Sequence, residues 1–385
     1  MDSVRIAAAG AAALALTVVI AATSAFTLHA GEASAQGGPT LVTKVGVGES
    51  PMAVAVNPYT NRIYVASSTG VSVIDGTTNT VVTTVPVGVS PMGVAVNPNT
   101  NRIYATDDWG GYLRTIDGAT NTVVATLYLG GFAKAVAVNP NTNLIYVTQC
   151  GGITIYLCVI DGDSNTVVAT LEDVGSSLHV AVNPNTNRIY VSCPTYSVCV
   201  INGATNAVVA TVPVGVASAG LAANPNTNLI YVTSSDSTNV KVIDGGTDTV
   251  VATVPVGRNT AGVAVNPNTN RIYVATPPGL GGQSDVSVID GASNTVVATL
   301  DVSAYPRDVA VNPNTSRIYV GSTSDKAVWV IEDLLPSSVG GIAELPDVAE
   351  SNSLDRNLTA LAGLAALAVA TVAAGGWYAR RRWVK

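Results

Sequence analysis

Val263-Ala264-Val265-Asn266-Pro267-Asn268-Thr269-Asn270-Arg271-Ile272-Tyr273-Val274 is one copy of a phrase that recurs, with small changes, seven times along the 385-residue chain. The Asn-Pro pairs begin at Asn57, Asn97, Asn139, Asn183, Asn224, Asn266 and Asn312, at spacings of 40, 42, 44, 41, 42 and 46 residues. Within a copy, Val-Ala-Val reads as a strand apolar on both faces. Asn-Pro-x-Thr-Asn is a turn in which proline presets φ and asparagine side chains bond the local backbone. Arg-Ile-Tyr-Val is a second strand. Most copies continue to Val-Ile-Asp-Gly, as at Val73–Gly76 and Val288–Gly291, a third strand closed by a turn with a φ > 0 position. Asn-Thr-Val-Val-Ala-Thr-Val supplies a fourth. Four short strands, lettered a to d, repeating about every 40 to 45 residues indicate propeller blades.

The ends of the repeat show how the ring closes. Outer strands follow the first six a-b-c sets, near Thr80, Thr122, Thr166, Ala207, Thr249 and Thr295, but none follows the seventh, which ends at Val330-Ile331-Glu332-Asp333. Leu41-Val42-Thr43-Lys44-Val45-Gly46-Val47-Gly48 matches the outer strands and precedes the first strand a. The expectation is an all-β chain whose residues 41–333 form a seven-bladed β-propeller of four-stranded antiparallel blades. The N-terminal strand completes the last blade and leaves no open sheet edge at the seam.

Composition agrees. Only 2 Phe stand against 14 Tyr, with 36 Gly and 19 Pro, which suits short strands and tight turns rather than a helical bundle. A hydrophobic fraction of 48% excludes a disordered chain. Residues 36–345 hold 12 Lys and Arg against 20 Asp and Glu, a net of −8, which argues against nucleic acid as a partner.

Both ends read as membrane-directed. Residues 1–35 carry Arg5, an apolar run from Ile6 to about Thr23, and Ala33-Ser34-Ala35, the order of a signal peptide cleaved after Ala35, with an uncleaved anchor as the alternative. Residues 358–379 are uncharged and long enough for one C-terminal transmembrane helix. Trp377 and Tyr378 suit the interface, and the basic tail 380–385, with Arg380, Arg381, Arg382 and Lys385, is placed in the cytoplasm by the positive-inside rule. Residues 334–356, rich in Ser, Gly and acids, read as a flexible tether. Leu345-Pro346 sits where a sortase signal would, but Asp347-Val348-Ala349 departs from that pattern. The propeller is therefore expected outside the cytoplasm, at the cell surface or on the periplasmic side, held to the cell membrane by a single pass.

The Asn-Pro-x-Thr-Asn-x-Ile-Tyr phrase resembles the YVTN family of β-propeller repeats over about Leu41 to Asp333, although the four-letter signature is degenerate, as in Tyr64-Val65-Ala66-Ser67, Tyr146-Val147-Thr148-Gln149 and Tyr231-Val232-Thr233-Ser234. The resemblance implies an exported surface-layer or periplasmic propeller. Relatives of the architecture include lactonases and haem or quinone oxidoreductases, and architecture alone selects none of them.

The chemistry-bearing residues are few. There is no Cys-x-x-Cys-His for haem and no Cys, His or carboxylate cluster at zinc spacing, so no cofactor and no metal is expected. Of two histidines, His29 lies in the leader and His179 stands four residues before Asn183, a slot held elsewhere by Ala53, Gly93, Ala135, Gly220, Gly262 and Asp308. It reads as a channel-lining residue or as a ligand contact. Four cysteines allow three pairings; each pair brackets one b to c hairpin, which favours Cys150 with Cys158 and Cys193 with Cys199 in an oxidising compartment. The a to b and c to d turns recur almost letter for letter and read as a structural face. Arg62, Arg102, Arg188, Arg271 and Arg317 do not covary with the acid ending strand c and read as ordinary surface residues.

The opposite face carries d to a and b to c loops that diverge between copies, and variable loops on a rigid scaffold commonly carry function. Its candidates are Asp107, Asp108, Trp109, Tyr112 and Arg114 in blade 2, Lys134 entering blade 3, His179, Arg258 entering blade 6, and Tyr305, Arg307 and Asp308 entering blade 7. Cations and an aromatic near a central funnel would suit a carboxylate or sugar. Two functions follow. The first is a membrane-anchored binding scaffold for an extracellular protein, a cell-wall glycan or a small ligand. The second is a lactonase-like hydrolase or an oxidoreductase, in which Asp308, His179 and Arg307 act at the central channel. The sequence does not fix an oligomeric state.

Overall fold

The computed structural model describes residues 38–334, apart from 152–155, 173, 175–178, 279–282 and 303–304. The leader 1–35, tether 334–356 beyond Leu334, helix 358–379 and tail 380–385 lie outside the described residues. Twenty-eight strands form seven four-stranded antiparallel sheets. Blade 1 runs a to d as Ala53–Asn57, Arg62–Ser67, Gly70–Asp75 and Thr80–Val85, and blades 2 to 6 repeat that order. Blade 7 consists of Pro306–Asn312, Arg317–Ser322 and Ala327–Glu332, and Thr40–Gly46 is its outer strand. Lys44 lies opposite Trp329 in that antiparallel pairing. Its ammonium sits 3.9 Å from the indole centroid and 2.8 Å from Asp325, whose carboxylate also accepts from Trp329 Nε1 at 2.9 Å. The seam thus has an ion pair and a cation–π contact besides its backbone ladder.

One tyrosine per blade builds the core. Tyr64, Tyr104, Tyr146, Tyr190, Tyr231, Tyr273 and Tyr319 on strands b are fully buried, each in the cluster formed by the next blade. Tyr64 packs with Val94, Ile103 and Ile116 of blade 2, and Tyr319 with Val54, Ile63 and Ile74 of blade 1, so the last tyrosine closes the series. Burying each ring contributes about 2 to 3 kcal/mol before entropy is counted.

The a to b turns add a polar lock. The first Asn of each Asn-Pro pair is fully buried, and its Oδ1 accepts the turn N–H two residues on at 3.0 Å. Its Nδ2 donates to the neighbouring blade. Asn57 bonds Asn101, Asn97 bonds Asn143, Asn139 bonds Asn187, Asn183 bonds Asn228, Asn224 bonds Asn270 and Asn312 bonds Asn61, all at 2.7 or 2.8 Å. The accepting asparagines have φ of 52 to 57°, a region that asparagine tolerates better than most residues. At the seventh junction Asn266 meets Ser316 Oγ at 3.4 Å.

The strand-b arginines differ from expectation. Arg62 pairs with Asp75 at 3.2 Å, Arg102 with Asp117 at 2.6 Å and Arg271 with Asp290 at 3.3 Å, each directly across strands b and c. Where strand c ends in Asn202, Arg188 reaches Asp248 of the next blade at 2.7 Å, and Arg317 donates to the Gly76 carbonyl at 2.8 Å. A long side chain can choose between two blades, so its partner need not covary within one repeat.

Each outer strand carries a β-bulge at the same place. The pairing skips Val42, Val82, Val124, Val168, Val209, Val251 and Val297, which are 41 to 54% exposed.

Ser316→Asn should complete the seventh link of the asparagine ring and relieve a serine at φ 54°. We expect a gain of about 1 kcal/mol in urea unfolding. The reverse change at an intact link, Asn101→Ser, should lose a similar amount.

Candidate functional site

Strand a sets the site because its head lines the axis. The residues four before each buried Asn are Ala53, Gly93, Ala135, His179, Gly220, Gly262 and Asp308, and all seven line one axial cavity of about 560 Å³ on the loop face. Five of the seven are Ala or Gly, which keeps the axis open. His179 and Asp308 enter from blades 4 and 7. The preceding positions supply Met52, Met92, Lys134 and Arg307, and Tyr305 completes the wall beside them. Lys134, His179, Tyr305, Arg307 and Asp308 therefore share one concave surface.

Close blade packing fixes these heads. A Cβ on Gly93 would lie 2.5 Å from the Lys134 carbonyl, so only glycine lets blade 2 approach the segment entering blade 3. Thr106 Oγ1 donates to that same carbonyl at 2.5 Å and accepts from Gly93 N at 2.8 Å. His179 N donates to Ser192 Oγ at 2.9 Å. Asp308 Oδ2 accepts from Val54 N at 2.9 Å, joining blade 7 to blade 1 from the inside, and Arg307 O accepts from Gly262 N at 3.1 Å.

The funnel shifts its titrating groups in opposite directions. Burial, helped by the Arg307 and Lys134 cations, lowers His179 from 6.5 to about 4, so the imidazole is neutral at pH 7. Burial raises Asp308 from 3.8 to about 6, against the opposing pull of the Val54 and Val309 N–H groups and of Arg307. Both side chains remain half-buried rather than sealed. At pH 7 the site offers two cations, a neutral histidine, a carboxylate already accepting a backbone bond, and a phenol. Among the described residues, no group of three His, Cys, Asp or Glu side chains is placed to hold a metal.

The other loop candidates lie off the cavity. Arg258 is tied to Asp285 at 2.7 Å and to Gln283 at 2.8 Å. Arg114 stacks 5.2 Å from the ring of Tyr112, which itself contacts Tyr128 with centroids 5.1 Å apart. Asp107 is buried and caps its loop by accepting from Ser90 N and Gly110 N. Asp108 is half-buried; burial raises its carboxyl pKa, Lys134 opposes that rise and Asp107 adds to it. Trp109 is 79% exposed. The cysteines form Cys150–Cys158 and Cys193–Cys199, with Cα atoms 6.1 and 5.8 Å apart, across the b to c hairpins of blades 3 and 4.

Met52, Met92, Asn259 and Thr260 also line the cavity and were not expected there. The methionines were legible in principle, since both stand five residues before an Asn-Pro pair, the register of Lys134 and Arg307.

The two shifts give opposite pH dependences. Because His179 is lowered on folding, the unfolded chain binds its proton first, and that contribution to stability is lost as pH falls from 6.5 towards 4. Because Asp308 is raised, its ionised form opposes folding above about pH 6, and the penalty is relieved as pH falls towards 3.8. His179→Asn should therefore lose less stability than wild type between pH 6.5 and 4, by about 2 kcal/mol in urea unfolding.

Hydrazine synthase of Kuenenia stuttgartiensis is similar in structure, with a TM-score of 0.65 and 18% identity over 74% of this chain and 96% of that one. At that identity the likeness is one of fold. No protein-family model and no curated protein sequence matches the chain.

Proposed function

We propose that the chain is an exported, membrane-tethered propeller of the YVTN repeat kind that binds the anionic end of an extracellular ligand in its axial funnel. The observation that carries this reading is the meeting of Lys134 and Arg307 with His179 and Tyr305 on one cavity whose remaining strand heads are mostly Ala or Gly. Two cations in a partly desolvated recess favour a carboxylate, and the phenol and imidazole add directional hydrogen bonds. Export is supported by the leader-like 1–35, by the apolar 358–379 before a basic tail, and by two disulfides that suit an oxidising compartment. The funnel also admits a second reading, a lactonase-like hydrolase, which draws on the neutral His179 as a base beside Arg307 as an oxyanion partner.

Calorimetry on the full-length protein should find that succinate and glucuronate bind while glucose does not. Arg307→Ala and Lys134→Ala should each weaken the acids about tenfold. Either acid should also raise the His179 pKa, read from its ring protons by NMR. Equal affinity of wild type and both variants would overturn the binding reading, while turnover of a γ-lactone that is lost in His179→Asn would favour the hydrolase. On intact cells, a membrane-impermeant amine reagent should label the exposed Lys44 and Lys326. Labelling only after lysis would overturn export.

A further inference from the structure

Outside the seven strand-b tyrosines, residues 40–333 contain nine aromatic side chains, and four of them, Trp109, Tyr112, Tyr128 and Phe132, fall within 24 residues of one another. Trp109 is 79% exposed, Tyr128 65% and Phe132 58%. Trp109 and Phe132 sit on loops in direct backbone contact. A Cβ on Gly111 would lie 2.6 Å from the Gly131 carbonyl, and Leu129 N donates to Gly111 O at 2.8 Å. Large apolar side chains on two adjoining loops are therefore exposed to solvent, a costly arrangement for a free surface.

Polar groups beside this ridge point to the ligand. Asp108, next to Trp109, is half-buried and its carboxylate accepts no hydrogen bond from its own loop, whereas its neighbour Asp107 is occupied within the loop. A half-buried carboxylate without a donor on its accessible side is one that a ligand hydroxyl can serve. Asp108 also lies within electrostatic reach of Lys134, and Thr106, two residues before Asp108, donates to the Lys134 carbonyl at 2.5 Å, so the loop that carries the ridge follows directly on a residue bonded to the cavity wall. Several backbone groups of these loops are already used: Asp108 N donates to Ser90 O, Gly111 N to Asp107 O and Gly151 N to Gly130 O. These bonds and the irregular loop backbone offer an extended peptide no regular strand edge, whereas a sugar ring offers an apolar C–H face for the aromatics and hydroxyls for the carboxylate.

We propose that the Trp109–Phe132 ridge is a saccharide platform continuous with the funnel, and that the ligand is the acidic end of a polysaccharide, its terminal uronate between Lys134 and Arg307 and the next sugar on Trp109. The proposal rests on the funnel reading for the uronate and on the ridge for the next sugar. Calorimetry on the full-length protein separates the two. Trigalacturonate should bind about tenfold more tightly than galacturonate. Trp109→Ala and Phe132→Ala, both at exposed positions, should abolish that gain and leave galacturonate unchanged, and Asp108→Asn should weaken the trimer alone. A trimer no tighter than the monomer, or a gain that survives Trp109→Ala, would overturn the platform while the funnel stands. Trimer binding that depends on Trp109 but not on Arg307 would overturn the funnel end instead. Triglutamate binding as tightly as trigalacturonate would overturn the saccharide assignment.

Discussion

The amide-to-amide hydrogen bond that six of the seven blades donate to the next is the constraint on which the molecule turns. Its donor is a fully buried asparagine whose carbonyl oxygen already holds its own turn, so one side chain fixes both the shape of a hairpin and the position of the adjacent sheet. The strand-b tyrosine repeats the logic in apolar form by filling the neighbour's core rather than its own. Neither device stabilises a blade in isolation, which is why stability belongs to the ring and why the strand beginning at Thr40 must complete blade 7.

That lock lies at the turn end of strand a, and its consequence is felt at the other end. With one end of every inner strand pinned, the opposite heads are held around the axis at a fixed radius, and a single slot in the repeat decides what faces the centre. Where the slot holds Ala or Gly the wall is bare. Where it holds His179 or Asp308, a titrating group enters a recess that raises the free energy of its charged form. A nearly symmetric frame thereby carries an asymmetric field, with both funnel cations and the histidine drawn from only three sectors of the ring.

Much of this was readable from residues alone. Strand count, the borrowed outer strand and both disulfides follow from aligning the copies, because each depends on position within a repeat. The slot shared by His179 and Asp308 was visible in the same way. What escaped were the individual side-chain bonds that cross from one repeat to the next. The asparagines were expected to bond their own turns, and they do so while also reaching the next blade. Arg188 has no acid in its own sheet and finds Asp248 in the next. Arg258 and Arg114 looked like funnel cations by their loops, but Asp285 holds the first and the ring of Tyr112 faces the second. Register predicts direction along a strand well; it is blind to partners chosen across a blade boundary.

The skipped valine in every outer strand bears on how such molecules behave in a crowd. Seven peripheral strands rich in Val and Thr, each with an unbonded side, would ordinarily be templates for a neighbouring molecule's sheet. The one-residue irregularity shared by all of them throws the local backbone out of step with any regular incoming strand. Copies gathered at high density can therefore lie rim to rim without fusing into a continuous fibre.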